Sequence, residues 1–469
     1  MATAPFSHLV VLMLENRSFD HVLGALGRDG RIPIEVASAE ATNPDLDGNP
    51  IALTTSGPVT APDLPHDFAS VATALNGTNS GFVVADQVRH RGDPSADPHR
   101  VMSYFATGAL PVTHALAEAY ATCDQWFCSV PAETWPNRLF AIAASSAGRV
   151  TNSLPFGLYD LKTVFGGLRT TPWVIYNDQL PNATLVRDLA FTWLAERHDP
   201  AGHFRSIQQF EDDAAAGRLP AYAFIEPIYL GPDADDAHPP HPIDASEALV
   251  GRIYAAIRHS PNWPDTLFVV LYDEHGGYFD HVPPPRDAAS PTLKGEFGFG
   301  FRRLGPRVPA ILISSRLAKG SVVRPPAGTY ADHTTVIATA LQRANRPALT
   351  ARDGAAWNLL DLPWLPQMRH DDNHVADVVP GLARALAPAA VAHPLSAAAL
   401  DGRSGRDVAA LIAAHQETNP GSRPPTPLAA GLSAELEGRS LEESIGSLAS
   451  VLAALPIRPR SPRRRRRTS

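Results

Sequence analysis

The chain has 469 residues, 44% of them hydrophobic and 19% charged, with 45 Pro and 33 Gly: a globular composition with many turns and long connections. Its net charge is −8, but seven Arg between Arg458 and Ser469 leave −15 on residues 1–457, which argues against nucleic acid as a partner of the folded body. No apolar run approaches the ~20 residues that cross a bilayer. Two cysteines, Cys123 and Cys128, exclude a disulfide scaffold and a Cys-built zinc site, and both are expected as thiols.

The N-terminus lacks a basic leader, and its first apolar run, 9–14, is too short for a signal-peptide core, so a cytoplasmic location is the expectation. That run and those at 221–225, 267–272 and 308–313 lack polar alternation, as strands covered on both faces do. Helical stretches fall at 113–122, 136–147, 245–259 and 333–344. In the third, Ala248, Leu249, Ile253, Ala256 and Ile257 share one stripe. The alternation predicts an α/β fold, a mostly parallel sheet flanked by helices. Residues 28–100 and 150–220 read as long insertions over the catalytic edge. Residues 1–380 read as one catalytic domain, 381–457 as an Ala/Leu-rich helical appendage broken at Asn419–Pro425, and 458–469 as a solvated Arg-rich tail.

In open parallel sheets ligands gather at the carboxyl ends of strands, so polar residues directly after an apolar run come first. Run 9–14 leads into Glu15-Asn16-Arg17-Ser18-Phe19-Asp20-His21, and run 267–272 into Asp273-Glu274-His275-Gly276-Gly277. One such cluster could simply cap the next helix or loop; two at one edge favour an oxygen-rich metal site. Glu133-Thr134-Trp135-Pro136-Asn137-Arg138 opens a helical run ending near Gly148. Thr134 then sits near a helix start, where free N–H groups and the dipole suit a phosphate beside a hydroxyl nucleophile. Capping is the plain alternative, and a Thr nucleophile needs activation, which a cation can supply. In Asp235-Asp236-Ala237-His238-Pro239-Pro240-His241-Pro242 the prolines hold His238 and His241 on a stiff loop, able to contact phosphate or protonate a leaving alkoxide. His66, within Asp63-Leu64-Pro65-His66-Asp67, is a candidate of the same kind. By residue chemistry alone this is a metal-assisted ester hydrolase; no His-Glu-x-x-His, Gly-x-Ser-x-Gly or phosphate-loop motif competes.

Taken in order, Glu-Asn-Arg-Ser-Phe-Asp-His, Thr-Trp-Pro-Asn-Arg, His-Pro-Pro-His, Asp-Glu-His-Gly-Gly-Tyr-Phe-Asp-His-Val and Gly-Pro-Arg-Val-Pro resemble the phosphoesterase family of non-specific phospholipases C and related acid phosphatases. The resemblance spans roughly residues 6–345, with His238 sitting 35 residues before Asp273. It implies an alkaline-phosphatase-like fold and hydrolysis of phosphate esters at a hydroxyl beside a divalent metal ion. By motif, Glu15, Asn16, Asp273, Glu274 and Thr134 are the implied metal ligands, with Thr134 also the nucleophile. His238 is the implied phosphate contact and acid for the leaving alcohol, and His66 a second phosphate contact. His241, Asp280, His281 and His333 are supporting or structural candidates. Oxygen ligation suits Ca²⁺, Mg²⁺ or Mn²⁺ better than Zn²⁺. The implied substrate is a phosphatidylcholine-type lipid met at a membrane surface. The alternatives are a soluble phosphomonoester or a non-catalytic binding module on the same fold. An exposed apolar rim in the insertion loops would favour lipid, a closed polar pocket the monoester. Ala132-Glu133 stand where a Gly-Pro pair is usual, and the Ala/Leu segment stands where larger relatives carry β-rich modules.

Overall fold

The computed structural model describes residues 4–372 except 56–62, 94–96, 153–157, 180, 197–201, 230 and 293, together with positions 375, 379 and 381. The chain divides into two units, Met1–Val391 and Ala392–Ser469, and every described residue lies in the first. Apart from position 381, the expected appendage 381–457 and tail 458–469 lie outside the described residues.

The four apolar runs are strands of one eight-stranded sheet. Its spatial order is Val322–Val323, Ala121–Cys123, Ala310–Ile313, Thr266–Tyr272, His8–Leu14, Tyr222–Ile225, Trp173–Tyr176 and Phe204–Arg205. The pairings are parallel except those of Ala310–Ile313, which runs antiparallel to both neighbours. His8–Leu14 lies between two parallel partners, and Leu9 to Leu14 are fully buried. Each Val or Leu withdrawn from water there contributes about 1.5–3 kcal/mol, and a polar residue would forfeit it. The mostly parallel α/β architecture expected from the sequence is the one observed.

Helices cover the sheet. Ile243–Arg258 buries Ala248, Leu249, Ile253 and Ile257 on one stripe, with Ala256 half-buried. Its Glu247 carboxylate accepts the N–H groups of Val112 (2.7 Å) and Thr113 (3.1 Å), satisfying the free start of helix Pro111–Ala119.

Two expectations need correction. The helix expected over 113–122 stops at Ala119, because Ala121–Cys123 is a sheet strand; three residues are too few to show a period. Residues 150–220 are not merely an insertion. They supply Trp173–Tyr176 and Phe204–Arg205 to the sheet, with helices Val164–Leu168, Arg187–Glu196 and Ile207–Ala215 around them. Residues 28–100 form a satellite: helices Phe68–Leu75 and Phe82–Arg89 bury Val71, Leu75, Phe82 and Val83 against Tyr278 and Phe279. Among the described residues no helix is long and apolar enough to cross a membrane, and Cys123 and Cys128 are buried free thiols.

Candidate active site

The central strands run in register, Leu14 beside Tyr272, so Glu15 and Asp273 leave the sheet side by side. Asp273 N–H donates to Leu14 O at 3.1 Å. Asn16 takes a left-handed turn (φ 54°), and its N–H reaches Asp273 Oδ1 at 3.2 Å, an oxygen that also accepts from Glu274 N–H at 2.7 Å. The turn after Glu274 folds back over Asn16. A Cβ on Gly276 (φ 61°) would stand 2.2 Å from Asn16 O, so only glycine fits there.

Thr134 is the first residue of helix Thr134–Ala143, after Glu133 at the N-cap. Its hydroxyl lies 3.5 Å from Asn16 Oδ1, the long limit of a hydrogen bond. The Glu133 side chain does not cap the helix; its carboxylate accepts from Asn152 N–H, while Asn152 Oδ1 accepts from Trp135 N–H at 2.8 Å. That exchange is what Glu133 adds to the pocket floor. The helix ends at Ala143 with left-handed Ala144 (φ 53°) as its cap, so Gly148 is not the terminator expected.

Arg138 closes the Thr-Trp-Pro-Asn-Arg motif, but sequence reasoning gave it no role. One helical turn beyond Thr134, its Nε donates to Glu15 Oε1 (3.0 Å) and Asp273 Oδ2 (3.2 Å), and its Nη2 to the Met13 and Leu14 carbonyls at 3.2 Å. The i, i+4 spacing from Thr134 was the available signal.

His66 faces this cluster, and His238 stands next to His66. His66 donates from Nδ1 to Leu64 O (2.7 Å), which leaves Nε2 3.5 Å from Asn16 Nδ2 and 3.9 Å from Glu274 Oε1. The His238 ring is 5.9 Å from the His66 ring, with Nε2 4.0 Å from Asp63 Oδ1. Its loop is pinned to the first strand: Glu15 N–H donates to Asp236 O (2.7 Å) and Arg17 Nε to Ala237 O (3.0 Å). His241 hydrogen-bonds Asp236 Oδ1 through Nδ1 at 2.7 Å, bracing that loop. His333 lies buried behind the site, its Nε2 donating to Asp273 O at 2.5 Å.

Burial pushes the Glu15 carboxyl well above its usual range, with Arg138 opposing the shift. Asp273 is likewise raised to about 7 by burial. Burial would raise Glu274 too, but His66 and His275 outweigh it and hold the group below its usual value. Burial would lower His66, yet Glu274 and Asp63 raise it to about 9, so its imidazole is cationic at neutral pH. One Glu274 oxygen, Oε1, is buried with no hydrogen-bond partner among the described residues. Arg138 thus meets two of three neighbouring carboxylates, with an amide oxygen, a hydroxyl and one unbonded carboxylate oxygen beside them. The donor types suit a divalent cation, although these three carboxylates are not among the described groups whose ligand atoms lie within 4.8 Å of one another.

Asp280 and His281, by contrast, belong to a closed structural network beneath the cleft. Arg307 donates to Asp280 Oδ1 (2.9 Å) and Oδ2 (3.2 Å) and stands 3.5 Å from Asp20 Oδ1, while His281 Nδ1 bonds Asp20 Oδ2 at 2.6 Å. Among the described residues, two trios place ligand atoms within 4.8 Å of one another: Asp63–His66–His238 and Asp20–Asp280–His281. In the second, the Arg307 guanidinium already supplies the positive charge.

The chain matches the phosphoesterase family over residues 6–345. It is 34% identical over 383 residues to non-specific phospholipase C6 of Arabidopsis thaliana, covering 76% of this chain and 71% of that one. It is 29% identical over 360 residues to phospholipase C B of Mycobacterium tuberculosis, covering 66% and 68%. A phosphonate monoester hydrolase of Agrobacterium radiobacter overlays with a TM-score of 0.32 at 11% identity, over 73% of this chain and 74% of that one. The protein is a hydrolase of mixed α/β fold acting on phosphate ester bonds. It belongs to the phosphoesterase family.

Proposed function

We propose that the protein is a phospholipase C that cleaves phosphatidylcholine-type lipids to diacylglycerol and a phosphorylated head group through a phosphothreonine intermediate. The observation that carries this reading is the Thr134 hydroxyl at a helix N-terminus, 3.5 Å from Asn16 Oδ1, with His66 on the Asn16 amide and His238 next to His66. The phospholipase C names of the relatives support the lipid substrate.

Phosphoryl transfer is mostly positioning and charge neutralisation. Thr134 Oγ attacks phosphorus in line, and His238 Nε2 gives a proton to the departing glycerol oxygen. Water then attacks the phosphothreonine, releasing the phosphorylated head group and restoring the hydroxyl. Cationic His66 neutralises a non-bridging phosphate oxygen. Arg138 holds Glu15 and Asp273 in place. A divalent cation held by Glu15, Asn16, Asp273, Glu274 and Thr134 would polarise phosphate and lower the pKa of the hydroxyl. Asp63, His66 and His238 offer a second placement of the ion, which would need both imidazoles neutral and so would exclude their roles as phosphate contact and acid. Metal analysis of Glu274→Gln against Asp63→Asn decides between them. The sheet is then the alkaline-phosphatase-like scaffold that the motifs imply.

The test is hydrolysis of p-nitrophenylphosphorylcholine beside p-nitrophenyl phosphate, with and without chelator. In Thr134→Ala, turnover of the choline ester should fall by at least ~10³-fold with folding unchanged. Acid quenching of the wild type during turnover of the choline ester should trap phosphorylcholine on Thr134, seen by peptide mass spectrometry. Cleavage of the monoester alone would make the protein a phosphatase. Undiminished turnover in Thr134→Ala would end the threonine mechanism.

A further inference from the structure

Phe297 is 77% exposed, a large apolar ring held in water. It lies in the loop Gly295-Glu296-Phe297-Gly298-Phe299-Gly300 with left-handed backbone (φ 51°), which a bulky residue rarely adopts. The loop is clamped. Glu296 N–H donates to Gly148 O (2.8 Å), Gly295 N–H to Phe299 O (2.8 Å), and the Glu296 carboxylate takes Arg149 Nη1 (2.6 Å) and Val150 N–H (2.8 Å). The ring is therefore presented outward by a fixed turn.

Its inner face stacks on Phe68 (5.7 Å, 15°), two residues after His66. Ring contacts continue from Phe68 to Phe299 (5.2 Å), Phe301 (4.9 Å) and Phe140 (6.0 Å), the last on the helix that begins with Thr134. A chain of ring contacts thus joins the exposed ring to the segment that carries His66 and to the helix that begins with Thr134. Lys294 and Arg302, both exposed, flank the loop, and the nearest acid on it, Glu296, is already paired with Arg149. Exposed ring and basic flanks match a membrane surface, apolar below and anionic at the phosphates.

We propose that the 294–302 loop is the membrane-docking surface of this enzyme, with Phe297 inserting among the lipids beside the cleft and Lys294 and Arg302 meeting anionic head groups. This deepens, and rests on, the reading of the substrate as a phospholipid. The rim lies outside the insertions 28–100 and 150–220 where sequence reasoning placed substrate selection, and only Phe68 belongs to one of them.

The experiment compares wild type and Phe297→Ser on two substrates: phosphatidylcholine in vesicles containing phosphatidylglycerol, and soluble p-nitrophenylphosphorylcholine. Flotation with the same vesicles reads binding, in a Thr134→Ala background that blocks turnover. Phe297→Ser should bind vesicles and cleave vesicle lipid roughly ten- to a hundredfold less well, the share of one buried Phe, with soluble turnover unchanged. Lys294→Glu should weaken flotation more at low salt than at high salt. Undiminished flotation of Phe297→Ser overturns the proposal. So does an equal loss on both substrates, which would place the ring in the active site's own structure, or a change of oligomeric state without loss of flotation, which would make the face a contact between copies. If wild type cleaves neither diester, the phospholipase reading fails, while flotation still decides the surface.

Discussion

Two buried clusters of carboxylates follow the same two strands, Glu15, Asp273 and Glu274 directly and Asp20 and Asp280 six and eight residues on, and they differ in how completely they are satisfied. In the Asp20–Asp280–His281–Arg307 cluster every carboxylate oxygen has a donor. Asp20 accepts from Ala37 N–H (3.0 Å) and His281, and Asp280 from Arg307, Val282 N–H (3.1 Å) and Asp20 N–H (3.3 Å). In the Glu15–Asp273–Glu274–Arg138 cluster, Glu274 Oε1 and Arg138 Nη1 are buried with no hydrogen-bond partner among the described residues, and burial raises both Glu15 and Asp273. A filled network fixes a loop; one with orphaned groups holds free energy that a ligand can release. The contrast separates acids whose oxygens are all bonded from acids that leave an oxygen open to a ligand, and both occur in the motifs read from the sequence.

The largest test of this contrast removes Arg307. Arg307→Met strands two buried carboxylates and should destabilise the fold by about 3–5 kcal/mol in urea unfolding. Glu274→Gln should do the opposite: stability within ~1 kcal/mol of wild type, but turnover lower by roughly 10²-fold with loss of bound divalent ion on elemental analysis. If both variants destabilised equally, the distinction between closed and open clusters would collapse.

A smaller effect comes from the turn that shapes the open cluster. Gly276→Ala forces a Cβ against Asn16 O at a left-handed φ, and should cost about 1–2 kcal/mol of stability while displacing the amide and lowering activity. A variant with wild-type thermal unfolding and turnover would show that the turn has room to relax.

The smallest is a pH effect confined to the closed cluster. Burial would lower the His281 pKa, but Asp20 and Asp280 outweigh it and raise it above 6.5. The folded state then binds the proton more tightly than the unfolded chain. The stabilisation is complete below pH 6.5 and fades as pH rises through the raised value. The stability gap between wild type and His281→Gln should shrink along that rise. A gap independent of pH would mean that the ring acts through packing alone.

Much of this was legible in the residues. The runs containing Leu9–Leu14 and Leu267–Tyr272 are buried on both faces, so their hydrophobicity is uninterrupted, and the polar residues after them leave the sheet side by side as the sequence implies. Thr134, His66 and His238 were found the same way, through the helix start and proline-stiffened loops that carry them. The short strands Ala121–Cys123 and Phe204–Arg205 were not legible, because two or three residues carry no period and gain their identity from neighbours far along the chain.

The sequence by itself determined the apolar strands, the helix that presents Thr134 and the types of group at the cleft, since these follow from local propensity and burial. Tertiary structure alone decided which acids are neutralised and which stand open. Arg138 reaches Glu15 and Asp273, and Arg307 reaches Asp20, across 123 to 287 residues of chain, and only strand order brings them together.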